Sequence, residues 1–105
     1  MRVLGKHALK HPIVLTTVPA GGGEDQEEEL KSAGFEVIVT RPRAKDMRAF
    51  DRHQDEPMAA MIDLVGRCTR LTEQEVDHLD ASDFEELGNL LNGVIGNGPE
   101  IGGSA

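Results

Sequence analysis

The sequence predicts an α+β domain, an N-terminal antiparallel β-hairpin followed by three to four short α-helices. Three observations carry that prediction. β-Branched residues with period-two alternation lie before Pro42, apolar residues recur at helical spacing after it, and capping patterns punctuate the helical half. A length of 105 residues suits one hydrophobic core and is too short for two, so 1–95 is expected to be a single domain and 96–105 a flexible tail.

Val3 and Leu4 open a short apolar start, and Ile13-Val14-Leu15 has the β-branched character of a strand that stops at Pro19. The segment 20–29 combines three glycines with repelling carboxylates and lacks apolar periodicity. It reads as a mobile acidic, Gly-rich loop spanning 19–33, within which Glu27 to Ala33 is compatible with one helical turn. Phe35, Val37 and Val39 alternate with Glu36, Ile38 and Thr40, which predicts a strand with one face on the core. The simplest pairing joins this strand to Ile13-Leu15 across the acidic loop.

Helices follow. Met47 and Phe50 mark a first one over Ala44 to Arg52, and Pro57 suits the first position of a second. Met58, Met61, Ile62, Val65 and Cys68 form its apolar stripe, with Arg67 and Arg70 near its negative end. Thr72 and Glu75 make a capping box flanked by the staple pair Leu71 and Val76, opening a short helix to about Leu79. Asp80 caps the last helix, with Leu79 and Phe84 as staple and Ser82 with Glu85 as an alternative box two residues on. Phe84, Leu87, Leu91 and Val94 mark its buried face, and Gly96, Gly98 and Pro99 end it.

Charge narrows the function. The net charge is −8, which argues against a nucleic-acid partner because phosphate binding rests on Lys and Arg. The residues through Phe50 sum to +1 and the remainder to −9, so two chemically different faces are expected. With one cysteine and no apolar stretch long enough for a signal peptide or membrane span, the cytoplasm is the natural compartment and no membrane partner is expected.

No catalytic chemistry emerges. Asp77, Asp80, Asp83, Glu85 and Glu86 cluster, but a calcium loop counted from Asp80 would need glycine where Glu85 stands and a carboxylate where Leu91 stands. They read as a solvated helix face. His7, His11, His53 and His78 lack helical metal-ligand spacing, and Cys68 sits on an apolar stripe as a small core residue. Gly21-Gly22-Gly23 is followed by acids instead of Lys-Ser/Thr, so it is no phosphate loop. A helix bearing Asp83, Glu85 and Glu86 is likewise a poor reader of DNA. No catalytic residue, cofactor or metal is therefore expected.

The remaining feature is Thr40-Arg41-Pro42-Arg43-Ala44-Lys45-Asp46-Met47-Arg48, a basic strand-to-helix connection. Arg41, Pro42, Arg43, Lys45, Asp46 and Arg48 are the candidate partner-binding residues; the plainer reading is a connection with a solvated basic rim. Around it, ordered motifs run from Leu9-Lys10-His11-Pro12-Ile13, through this turn, to Leu71-Thr72-Glu73-Gln74-Glu75-Val76 and Leu79-Asp80-Ala81-Ser82-Asp83-Phe84. From about Ala8 to Ile95 this order resembles the phage tail assembly chaperones of Mu-like and related contractile-tailed phages. Two departures stand out: the acidic excursion from Pro19 to Ser32 replaces a short hairpin, and Thr40 precedes Arg41 where a doubled arginine is common.

The resemblance implies a host-cytoplasmic protein absent from the finished particle. It implies binding to the long helical tape-measure protein, whose solubility it maintains, and assistance to tail-tube protein polymerising around it. It also implies a longer frameshifted form of the same gene product. Self-association is left open by the residues. The competing expectation is a small acidic adaptor or regulator that binds a basic protein surface.

Overall fold

In the computed structural model, which describes residues 2–95, the chain up to Thr40 folds as a long antiparallel ribbon in two segments. Its base pairs β1 (Val3–Ala8) with β4 (Glu36–Thr40), and its outer part pairs β2 (Ile13–Thr17) with β3 (Gln26–Lys31). The segments join where Leu9 N–H donates to Phe35 O (2.9 Å) and Gly34 N–H to Leu9 O (2.7 Å). Gly34 is in the left-handed region at φ +91°, which a side chain would strain.

This architecture keeps the predicted antiparallel hairpin and corrects its pairing. Ile13–Thr17 pairs with the acidic segment instead of with Glu36–Thr40, whose partner is the apolar start of the chain. Neither loop nor helical turn, Glu27–Glu29 is extended and lies opposite Val14–Thr16. The β-branched partner strand supplies the backbone pairing, and the carboxylates project into water where their repulsion is screened, so pairing overrides poor local propensity.

A 3₁₀ turn (Ala44–Met47) runs directly into α1 (Arg48–Arg52), and α2 (Pro57–Cys68), α3 (Glu73–Asp77) and α4 (Ala81–Ile95) follow. Pro57 occupies the first turn of α2 as predicted. Both capping-box bonds at α3 form: Glu75 N–H donates to Thr72 Oγ1 (3.1 Å), and Thr72 N–H to Glu75 Oε1 (2.9 Å). At the start of α4, Asp80 Oδ2 accepts from Ser82 N–H (3.0 Å) and Ser82 Oγ (2.7 Å), so Asp80 is the cap and the Ser82–Glu85 alternative is not used.

The core gathers Leu9 and Ile13 from the bend of the ribbon, Val37 and Val39 from β4, and Ala49, Leu64, Val65, Cys68, Leu71, Val76, Leu87 and Leu91 from the helical half. Three apolar predictions shift. On β4 only Val37 and Val39 of the alternating set are buried, Phe35 being exposed; on α1 the buried residue is Ala49 and Phe50 is exposed. On α2 the buried row is Ala60, Leu64 and Cys68 with Val65, while Met58 is 63% exposed. Contacts with α1 on one side and with α3 and α4 on another turn α2 by about one row, bringing Leu64 to the centre. α4 crosses β1 closely: a Cβ at Gly5 would lie 3.2 Å from Leu90 Cδ2.

The expected tail at 96–105 lies outside the described residues. No helix among the described residues is long and apolar enough to cross a membrane.

Candidate functional site

The basic connection after β4 forms one wall of an open cleft of about 420 Å³. Pro42 ends the strand, and the 3₁₀ turn holds Arg41, Pro42, Arg43, Lys45 and Asp46 along this wall. Arg48 does not line it. The opposite side brings Arg2 from the chain start and Arg67 and Arg70 from the end of α2. Sequence reading missed these three because their proximity depends on β1 lying beside β4 and α2 returning behind them.

Asp46 is the cleft's one carboxylate, and it is engaged: Oδ2 accepts from Arg43 N–H at 2.9 Å, and the side chain is buried. It therefore shapes the turn rather than offering a free charge. Arg67 is braced by Asp63 (Nε to Oδ1, 2.9 Å) and by Lys45 O (Nη1, 3.2 Å). Arg2, Arg41, Arg43 and Lys45 make no ion pair with any described residue. Four uncompensated cations at one concavity make a local positive field in a protein of net charge −8.

Arg67 also borders a second depression of about 430 Å³ between α2 and α3. Its floor is apolar, with Ala59, Ile62 and Gly66 from α2 and Leu71 and Val76 beside them; His53, Asp63, Glu73 and Asp77 contribute polar groups. His53 Nε2 lies 3.2 Å from Asp63 Oδ2, so Asp63 braces both the histidine and Arg67. Glycine at 66 keeps the floor low. The depression can take an apolar ridge.

The carboxylate cluster proves heterogeneous. Asp83, read as part of a solvated face, is 0% exposed. Its Oδ1 accepts from His7 Nε2 (2.8 Å) and Lys10 N–H (2.9 Å), and its Oδ2 from His11 N–H (3.1 Å), fixing α4 to the bend of the ribbon. An ionised carboxylate only accepts, so His7 carries its proton on Nε2. Burial pushes the Asp83 pKa up, but the bonds from Lys10 N–H, His7 and His11 N–H outweigh it and hold the group below its ordinary value. Glu75 behaves alike. Its burial is outweighed by Lys31, whose Nζ lies 2.5 Å from Oε2, and by the Thr72 N–H. Asp80 is lowered by the Ser82 hydroxyl and N–H. These carboxylates are structural fasteners, a role legible for Glu75 and Asp80 in their cap spacing but not for Asp83, whose donors lie more than seventy residues away.

Burial raises the Cys68 thiol to about 11, with Asp46 adding to the rise and Arg67 opposing it, which leaves an inert core thiol. Among the described residues, no three His, Cys, Asp or Glu side chains converge to hold a metal ion. The third concentration of charge is the outer ribbon: Glu24, Asp25, Glu27, Glu28 and Glu29 are all exposed, and none pairs with a described cation.

A family model described as "Phage tail assembly chaperone proteins, E, or 41 or 14" matches residues 19–96. The match starts at the tip of the ribbon and takes in β3, β4, the basic cleft except Arg2, and the described helices, leaving out the Leu9-Lys10-His11-Pro12-Ile13 motif. Comparison with curated proteins and with solved structures gives no match.

Proposed function

This chain belongs to the phage tail assembly chaperone family, and on that premise we propose that it binds the tape-measure protein, keeps it soluble and assists assembly of the tail tube around it. The depression between α2 and α3 is the observation that carries the client assignment. An amphipathic helix lays its apolar face into such a groove, anchored by side chains one helical turn apart, with polar flanks meeting charges at the rim. Ala59, Ile62, Gly66, Leu71 and Val76 supply the floor, and Asp63, Arg67 and Glu73 the charges. Met58, one helical turn before Ile62 and 63% exposed, extends the apolar surface with an adaptable side chain.

The basic cleft, with Arg41, Pro42, Arg43, Lys45 and Asp46, is a second partner-binding surface, with Arg48 beyond its edge. Its charge suits assembly contacts rather than the apolar stripe of a helix. Action takes place in the host cytoplasm before the particle is complete, and a longer frameshifted product would carry the same two surfaces.

Co-expression with the tape-measure protein of the same genome tests the reading. The client is expected in the soluble fraction, co-purifying with this chain, and Ile62→Asp is expected to reduce recovery at least tenfold, since a charge introduced into an apolar contact goes unpaired. An insoluble client that never co-purifies would reject it.

A further inference from the structure

Arg2, Arg41, Arg43 and Lys45 of the basic cleft and the carboxylates of the acidic ribbon face water on one chain and make no ion pair with any described residue, and their charges are complementary. We propose that the outer ribbon of one copy seats its β3 carboxylates in the basic cleft of a second copy, so that the protein associates head to tail through two different surfaces. This rests on reading the cleft as a partner-binding surface; it does not depend on what the client is.

The ribbon supplies the reach. Its root is tied down by Ile13 and Leu30 in the core and by Lys31 on Glu75, while Glu24 to Glu29 beyond that root are exposed. The molecule measures 51 × 30 × 25 Å, elongated for its size. An isolated two-stranded ribbon is marginal in water, and five carboxylates crowded on it repel one another; neutralising them by docking relieves both liabilities. The cleft supplies the counter-charges. Arg41, Arg43 and Lys45 stand on one wall and Arg2 on the other, and Thr40 and Ile38 of β4 form a side against which an extended strand can lie. Among the described residues β4 has only β1 as a strand neighbour, which leaves one long edge unpaired by their strand bonds.

Head-to-tail contacts are heterologous, so each copy that docks offers its own ribbon to another, giving a ring or an open array. Charge also sets the salt response. Raising ionic strength from about 0.1 M to about 1 M shortens the screening length from about 10 Å to about 3 Å, and the association is expected to weaken accordingly.

The test uses the full chain alone, by sedimentation velocity and light scattering. Wild type is expected to associate at low salt and to dissociate at high salt. E27K/E28K brings the five ribbon carboxylates from a charge of −5 to −1, and R41E/R43E brings the four unpaired cleft cations from +4 to 0. Each variant alone is expected to lose at least about tenfold in self-association, because one of the two surfaces then carries almost no charge for the other to attract. Mixed in equal amounts, the unaltered acidic ribbon of R41E/R43E meets the unaltered basic cleft of E27K/E28K, and the two are expected to associate again as a one-to-one pair. All four positions are exposed, and circular dichroism confirms the fold of each variant. A wild type that stays monomeric at low salt, single-surface variants that associate like wild type, or a mixture that stays monomeric would each overturn the proposal. Client capture in co-expression is read separately, so failure here leaves the tape-measure reading standing.

Discussion

Asp83 shows how one buried charge can govern a small domain. Three donors converge on a carboxylate with no exposed surface, and two of them are backbone N–H groups that meet no other acceptor among the described residues. Asp83→Ala orphans both and is expected to cost about 3 kcal/mol in urea denaturation, since each buried unsatisfied donor costs about 1–3 kcal/mol. The pH dependence has a definite sign. Asp83 and Glu75 both have pKa values lower in the folded chain than in the unfolded one, where they are about 3.9 and 4.3. Their contribution is complete above those unfolded values and is lost as pH falls through the folded ones, so the urea midpoint is expected to drop below about pH 4. Asp83→Asn should flatten that acid limb. Cys68 gives a simpler readout: at about 11 its thiol stays protonated and buried, and alkylation at neutral pH is expected only after denaturant is added.

Among the elements, the short α3 depends on its ends more than its length. Five residues cannot sustain a helix alone. The reciprocal Thr72–Glu75 box and the Leu71 and Val76 staple fix it, and Lys31 ties it to β3 through the same Glu75. Thr72→Ala is expected to lower stability by about 1 kcal/mol, measured by thermal unfolding. The box and staple are local, which is why sequence spacing found them. β3 is the opposite case: nothing in Gln26-Glu27-Glu28-Glu29 favours a strand, and only pairing with Val14–Thr16 makes it one.

At the scale of the whole molecule, charge is sorted rather than spread. The ribbon carries acid outward, the cleft collects arginines from the chain start, the connection after β4 and the end of α2, and the apolar depression lies between α2 and α3 with Arg67 at the border of both cavities. A family member that must hold a client and still meet other assembly components needs separable surfaces. If they are separable, R41E/R43E is expected to leave tape-measure co-purification within about twofold of wild type while costing at least about tenfold in salt-sensitive self-association. The same pull-down and sedimentation measurements check both halves.

The sequence by itself determined what is local or compositional. The α+β order, the antiparallel hairpin, Pro57 opening α2, the Thr72 box, the Asp80 cap and the acidic character follow from spacings of a few residues, and the family was legible in the order of its motifs. Tertiary structure alone decided what depends on distant segments meeting. It set which strand pairs with which and turned the face of α2 from Met58 toward Leu64. It buried Asp83 against donors from the ribbon's bend. The candidate turn at Arg41 to Asp46 was visible as a charge reversal, but Arg2, Arg67 and Arg70 complete the cleft only because β1 lies beside β4 and α2 folds back against them. A single strand–helix junction shows a basic rim; three converging segments make it a concavity, where like charges with low-dielectric walls concentrate their field.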